Sequence, residues 1–204
     1  MKMKNDTAPA AGTHSITSPR VALAVAGPLW AAVSLAQAAT RDGFDLMRHP
    51  LSLLSTGALG GVQIANFVVA GVLMVVGAGS LAGTWAPRLA RIAGFGMIAA
   101  GLLVMDPGGG FPAGHDEVPA TMSWHALGHM AAGTVSFTAL IAACYVLAKQ
   151  AATRASAVAA ALSGTALLAG WLWAMSGGTA GTLTLAVGAI AAMLFLSWTA
   201  LRSR

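Results

Sequence analysis

Six stretches of about twenty residues each, the length a membrane-crossing helix requires, run from residue 21 almost to the end of the chain, nearly free of charge. They cover roughly 21–39, 57–83, 89–105, 124–148, 155–175 and 180–201. No other feature restricts the fold so strongly. A chain inside lipid must satisfy its own backbone, which leaves helices or a closed barrel. The stretches lack the apolar–polar alternation of barrel strands. The expected fold class is therefore all-α: a polytopic bundle of six transmembrane helices with no sheet. The second stretch is long and the third short, which predicts tilt or mismatch. Composition agrees: 8% of the residues are charged and 57% hydrophobic, against about 25% charged in soluble domains.

Residues 1–20 are polar and read as a disordered cytoplasmic tail; 21–204 then form a single six-helix transmembrane domain. With the N-terminus inside, the cytoplasmic segments hold Lys2, Lys4, Arg20, Arg88, Arg91, Lys149, Arg154, Arg202 and Arg204. Only Arg41 and Arg48 fall outside, so the positive-inside rule puts both termini in the cytoplasm. Asp42, Asp45, Asp106, Asp116 and Glu117 lie on the outer side, and Asp6 on the inner. The net charge of +5 does not point to nucleic acid, because the basic residues are scattered between apolar runs. Ala36-Gln37-Ala38 resembles a signal-peptidase site, but the leader before the apolar run is long for a signal, so an uncleaved anchor is expected. The single cysteine, Cys144, rules out a disulfide within the chain and reads as a buried packing residue.

Small residues are dense in the spans. Gly57 and Gly61 form a GxxxG, Gly94, Gly96, Ala100 and Gly101 line the third stretch, and Gly128 and Gly133 lie on the fourth. Such residues let helix backbones approach closely, so a tight bundle is expected.

The polar chemistry gathers in two outer loops, Thr40 to Thr56 and Asp106 to Ser123, and at the top of the fourth helix. Within the first loop, Leu46 to Ser55 reads as a short interfacial helix with Arg48 and His49 at headgroup level. Gln63 and Asn66 are spaced i, i+3 and share a face of the second helix. They would form an interhelical hydrogen bond or line a ligand cavity. Asp106 precedes Pro-Gly-Gly-Gly. It starts a turn, and a carboxylate there can also orient a histidine or bind a metal. His125 and His129 are spaced i, i+4, so both imidazoles fall on one helical face within reach of one ion. A third ligand would have to come from His49, His115, Asp106 or Asp116.

The runs Arg41-Asp42-Gly43-Phe44-Asp45 and Arg48-His49-Pro50-Leu51-Ser52-Leu53-Leu54-Ser55, followed by Gly60 and Gln63-Ile64-Ala65-Asn66-Phe67, carry a family resemblance. So do Asp106-Pro107, Gly110-Phe111-Pro112 and Trp124-His125 with His129. Together they resemble the uncharacterised bacterial membrane proteins called domain of unknown function 998, over nearly the whole chain from residue 21. The resemblance implies a six-helix plasma-membrane protein, usually from actinobacteria and their relatives, and no established activity. The family's pattern opens the last helix with Gln-Arg or Glu-Arg after Thr-Ala-Gly; here Thr179-Ala180-Gly181 is followed by Thr182-Leu183-Thr184-Leu185. A more distant analogy is to transmembrane zinc hydrolases of the alkaline-ceramidase and adiponectin-receptor-like group. Those combine Ser and His, then Asp, then a His-x-x-x-His helix; Ser52 with His49, Asp106, and His125 with His129 follow the same order. The spacing of Ser and His differs, and those proteins usually have seven helices.

Two functions follow as expectations. The first is an integral membrane protein of unknown activity with a His- and Asp-rich outer pocket. Arg48, Ser55, Gln63 and Asn66 would bind a small amphipathic ligand or lipid headgroup. The second is a membrane-embedded hydrolase of a lipid amide or ester. In it His49, His125 and His129 would hold zinc, Asp106 would act as base or orienter, and Ser52 would bind the oxyanion. Haem ligation by the histidine pair is disfavoured, because both lie on one helix. There is no P-loop or other nucleotide motif, no mid-span charge, and no evident inverted repeat, which argues against a pump.

Overall fold

The computed structural model describes residues 18–202. Lys2, Lys4, Asp6, His14 and Arg204, and with them most of the expected cytoplasmic tail, lie outside the described residues. Helix α1 (Pro19–Thr40) begins where the sequence provides a start signal. Ser18 caps it by accepting from the Val21 N–H, and Pro19 fills the first turn. Ala36-Gln37-Ala38 continues this helix, with Gln37 buried. A loop follows, containing a short 3-10 helix at Leu51–Ser55, and then α2 (Gly60–Gly77). Next come α3 (Trp85–Leu102), α4 (Trp124–Gln150), α5 (Arg154–Met175) and α6 (Gly181–Arg202). The chain is all-helical; among the described residues there is no strand beyond one isolated bridge, Gly108 to Phe111.

Five helices are long and apolar enough to cross a membrane; α3 is not among them. Its first two turns hold Arg88 and Arg91. Each helix packs on its sequence neighbour, and α6 packs back on α1, so the six form a closed ring. One end of the ring carries both long loops. The opposite end carries Arg20, Arg88, Arg91, Lys149, Arg154 and Arg202. Outward faces are apolar and exposed, as Val25, Val69, Val76, Leu162 and Val187 show. Lipid, and not water, is the environment such a surface fits.

The ring closes where a serine of α6 meets the backbone of α1. Pro28 sits inside α1 and offers no N–H to the Ala24 carbonyl one turn back. Beside it, Ser197 of α6 binds the α1 backbone: its hydroxyl donates to the Leu23 carbonyl (2.7 Å) and accepts from the Gly27 N–H (3.0 Å). Small residues explain the closeness elsewhere. A Cβ on Gly71 would lie 2.6 Å from the Gly94 carbonyl, and one on Gly96 would lie 2.8 Å from Ser136 Cβ. The GxxxG of Gly57 and Gly61 is not such a contact. Gly57 precedes α2 with φ +73°, and a Cβ on Gly61 would meet nothing within 4 Å.

Candidate functional site

Three polar assemblies and one cavity occupy the loop-bearing half of the bundle. The first assembly joins the two loops. His49 is buried, and its Nδ1 accepts from the Asp45 N–H (2.9 Å). Nε2 must then carry the proton, and it donates to the Gly109 carbonyl (2.9 Å). The ring packs among Phe44 and Phe111, at centroid distances of 5.5 and 5.8 Å. Arg41 completes this cap. Its guanidinium donates to the carbonyls of Leu54 and Thr56, the latter at 2.6 Å, and lies 4.6 Å from the Phe111 centroid. Burial lowers the Arg41 pKa from its ordinary value, though a guanidinium stays charged in any case. The peptide between Phe111 and Pro112 is cis.

These contacts hold the 3-10 helix inward. Leu51, Leu53, Leu54 and Ser55 are buried, so the segment is a plug in the bundle and not an interfacial helix along its edge. Ser55 donates to the Ser52 carbonyl (2.7 Å), while Arg48 is exposed. Thr182 of α6 ties the plug's approach by donating to the Leu46 carbonyl (2.7 Å). Thr182 directly follows the Thr179-Ala180-Gly181 run, where the family's pattern has Gln or Glu.

The second assembly clamps α3 to α4. Asp106 accepts from the Ser123 N–H (2.7 Å) and the Ser123 hydroxyl (2.6 Å). Ser123 is the N-cap of α4. Its hydroxyl hydrogen bond, then its N–H, hold the Asp106 carboxyl below the usual carboxylate range. His125 Nδ1 lies 2.9 Å from both Ser123 Oγ and the Val104 carbonyl, and 3.9 Å from Asp106. Asp106 thus holds the start of a helix.

The third assembly lies between α1 and α2. Gln63 accepts from Gln37 Nε2 (2.6 Å) and donates to Ser34 Oγ (2.9 Å). Asn66 donates to the Trp30 carbonyl and to Ser34 Oγ, each at 3.1 Å. Trp30 Nε1, Gln37 Oε1 and Asn66 Oδ1 have no hydrogen-bond partner among the described residues. Sequence reasoning misses Ser34 and Gln37, yet their i, i+3 spacing on α1 mirrors Gln63 and Asn66 on α2. That symmetry is the signal that points to them.

The cavity, of about 110 Å³, is lined by all six helices and the plug. Its wall is apolar, with Trp30, Phe67, Met97, Leu140, Trp171 and Met193 on different elements. Ser52 and His129 line it from the loop-bearing end. His129 is buried, and its Nδ1–H points to the carbonyls of Ala100 (2.7 Å) and Leu103 (2.9 Å). Its Nε2 is therefore an acceptor. Of the candidate residues, Ser52 and His129 reach the cavity; Arg48, His49, Ser55, Gln63, Asn66, Asp106 and His125 do not line it.

The family described as protein of unknown function (DUF998) matches residues 24–202. The chain belongs to the DUF998 family. No curated protein and no solved structure matches it. As a DUF998 member it is an integral membrane protein of unknown activity, with a membrane-type helical bundle. Among the described residues of this DUF998 chain, no group of three or more His, Cys, Asp or Glu side chains is placed so that it could hold a metal ion. His49 has both ring nitrogens on backbone groups, 2.9 Å from each.

Proposed function

We propose that this DUF998 protein crosses a bacterial plasma membrane six times, with both termini cytoplasmic, and binds a small amphipathic molecule from the outer side. The asymmetry of basic residues supports the orientation: the end opposite the long loops carries six of those in the described span. The third helix counts as a span because it packs between α2 and α4 in the ring. Its two arginines lie at the basic end, where long side chains reach the headgroups.

The observation that carries the binding reading is the cavity. It is apolar over most of its wall; Ser52, His129 and Thr182 line it near the loop-bearing end, and Thr134 and Ser136 line it deeper along α4. That distribution suits a hydrocarbon tail with a polar head at the loop-bearing side. The plug held by Arg41 closes the cavity toward that face, and Gln63 and Asn66 stiffen the α1–α2 wall behind it.

Thermal unfolding of the purified protein in detergent tests this. Added single-chain amphiphile should raise the melting temperature with the logarithm of its concentration, the stabilisation reaching about 2.7 kcal/mol at a hundredfold excess over Kd. Ala189→Leu, which puts bulk into the cavity wall, should remove the response. A melting temperature indifferent to every amphiphile tried would reject the reading.

A further inference from the structure

We infer that the cavity admits its ligand sideways from the membrane, between α4 and α5, and that the ligand is a single-chain amphiphile with a hydroxyl head. The inference rests on the binding reading above and adds the route and the chemistry.

The route comes from exposure. Met175, the last residue of α5, lines the cavity and is nevertheless 60% exposed. On α4, Thr134 also lines the cavity and is exposed. Its neighbour Gly133 lines the cavity too, and a Cβ there would meet nothing within 4 Å. Exposed lining residues on both α4 and α5 make this seam the thin part of the wall. Below the opening Phe137 and Trp171 close it, their rings 6.0 Å apart. α5 is also the least buried of the five long apolar helices, with 22% of its central residues buried against 44–50% for the others. An opening at this height in a membrane-spanning bundle faces lipid acyl chains and not water.

The chemistry comes from His129. The Ala100 and Leu103 carbonyls fix its proton on Nδ1. Nε2 then offers a lone pair and no proton. A head that donates, such as a hydroxyl, is matched there; an ether is not. His129 sits about 7 Å along α4 from the helix start, near the polar boundary of the bilayer. Leu140, also in the wall, is roughly 16 Å farther along the same helix. The cavity is thus long and thin. An apolar cavity of about 150 Å³ holds one small ring compound, so this one takes part of one chain and not two.

The test uses the full-length protein in detergent with two probes, oleyl alcohol and oleyl methyl ether. They share a chain and differ in the donor. The readouts are the concentration that gives a fixed melting shift after long incubation and the time the shift takes to develop. The alcohol should act at about one tenth the concentration of the ether, the effect of one buried hydrogen bond. His129→Asn keeps an N–H for the α3 carbonyls and withdraws the cavity acceptor, so the two probes should become equal. Gly133→Leu has room for its side chain and should fold normally, yet block the seam. It should slow the onset of the shift about tenfold for both probes, since an obstructed route changes rates and not affinity. Equal potency of the two probes on the wild type, or a normally folded Gly133→Leu with an unchanged rate of onset, would overturn this inference alone. No shift with either probe would overturn the binding reading with it. Should His129→Asn not fold, the wild-type ratio and Gly133→Leu decide the matter.

Discussion

Arg41 carries more of the loop architecture than any other single residue. It ends α1, spans to the carbonyls of Leu54 and Thr56, and lies over Phe111. Arg41→Ala should lower stability by about 2–3 kcal/mol, since it removes charge-assisted hydrogen bonds to partly buried carbonyls. Arg41→Lys should recover only part of this, because an ammonium cannot reach two carbonyls as a planar fork does. Thermal melting of both variants checks the order. The sequence offers a signal for Arg41: it is one of two basic residues on the side where the positive-inside rule expects few. Asp106 stands out in the sequence as a carboxylate able to serve chemistry, and the structure gives it a mechanical partner, Ser123. Its pKa is depressed in the fold, so its contribution is present above the ordinary carboxylate value, ~3.9, and is lost as pH falls through the folded value. Asp106→Asn should therefore destabilise by about 1–2 kcal/mol at neutral pH. The gap between mutant and wild type should close in strong acid. A gap that stays constant as the pH falls well below the ordinary carboxylate value would contradict this sign.

At the scale of helices, apolar length and start signals are legible in the sequence, while the faces are not. Ser18 and Ser123 cap helix starts in the structure, with Pro19 in the first turn of α1. The glycine pattern announces tight packing but does not say which glycines meet. Gly71 faces the Gly94 carbonyl, whereas Gly61 faces open space. Gly71→Leu should then destabilise by about 1–3 kcal/mol through overpacking, and Gly61→Leu should be near neutral. Comparing the two by melting separates packing from helix propensity, which favours Leu in both. The α1–α6 seam makes a second case. Ser197 binds the α1 backbone beside Pro28, a pairing across most of the chain length that no local pattern encodes. Ser197→Ala should cost about 1–2 kcal/mol, in the upper range for hydrogen bonds between membrane helices.

For the molecule as a whole, topology in the membrane is the property to measure. In cells, a membrane-impermeant thiol reagent should label Glu117→Cys in the second long loop. It should label Ala152→Cys, between α4 and α5, only after lysis. The native Cys144 is fully buried in the bundle, which keeps it from reacting. Labelling of both positions in intact cells would contradict the proposed six crossings. The sequence by itself determined an all-helical membrane chain, the approximate places of its helices and its family. These are sums over neighbouring residues, so they survive without knowledge of any distant contact. Only the tertiary structure decided which polar residues meet. His125 and His129 share a helix turn, yet His129 lines the cavity and His125 does not; His49 turns to backbone groups and Ser52 to the cavity. The rotation and tilt of each helix set those partners. Many weak contacts between small residues far apart in the chain fix rotation and tilt, and no stretch of sequence carries that information alone.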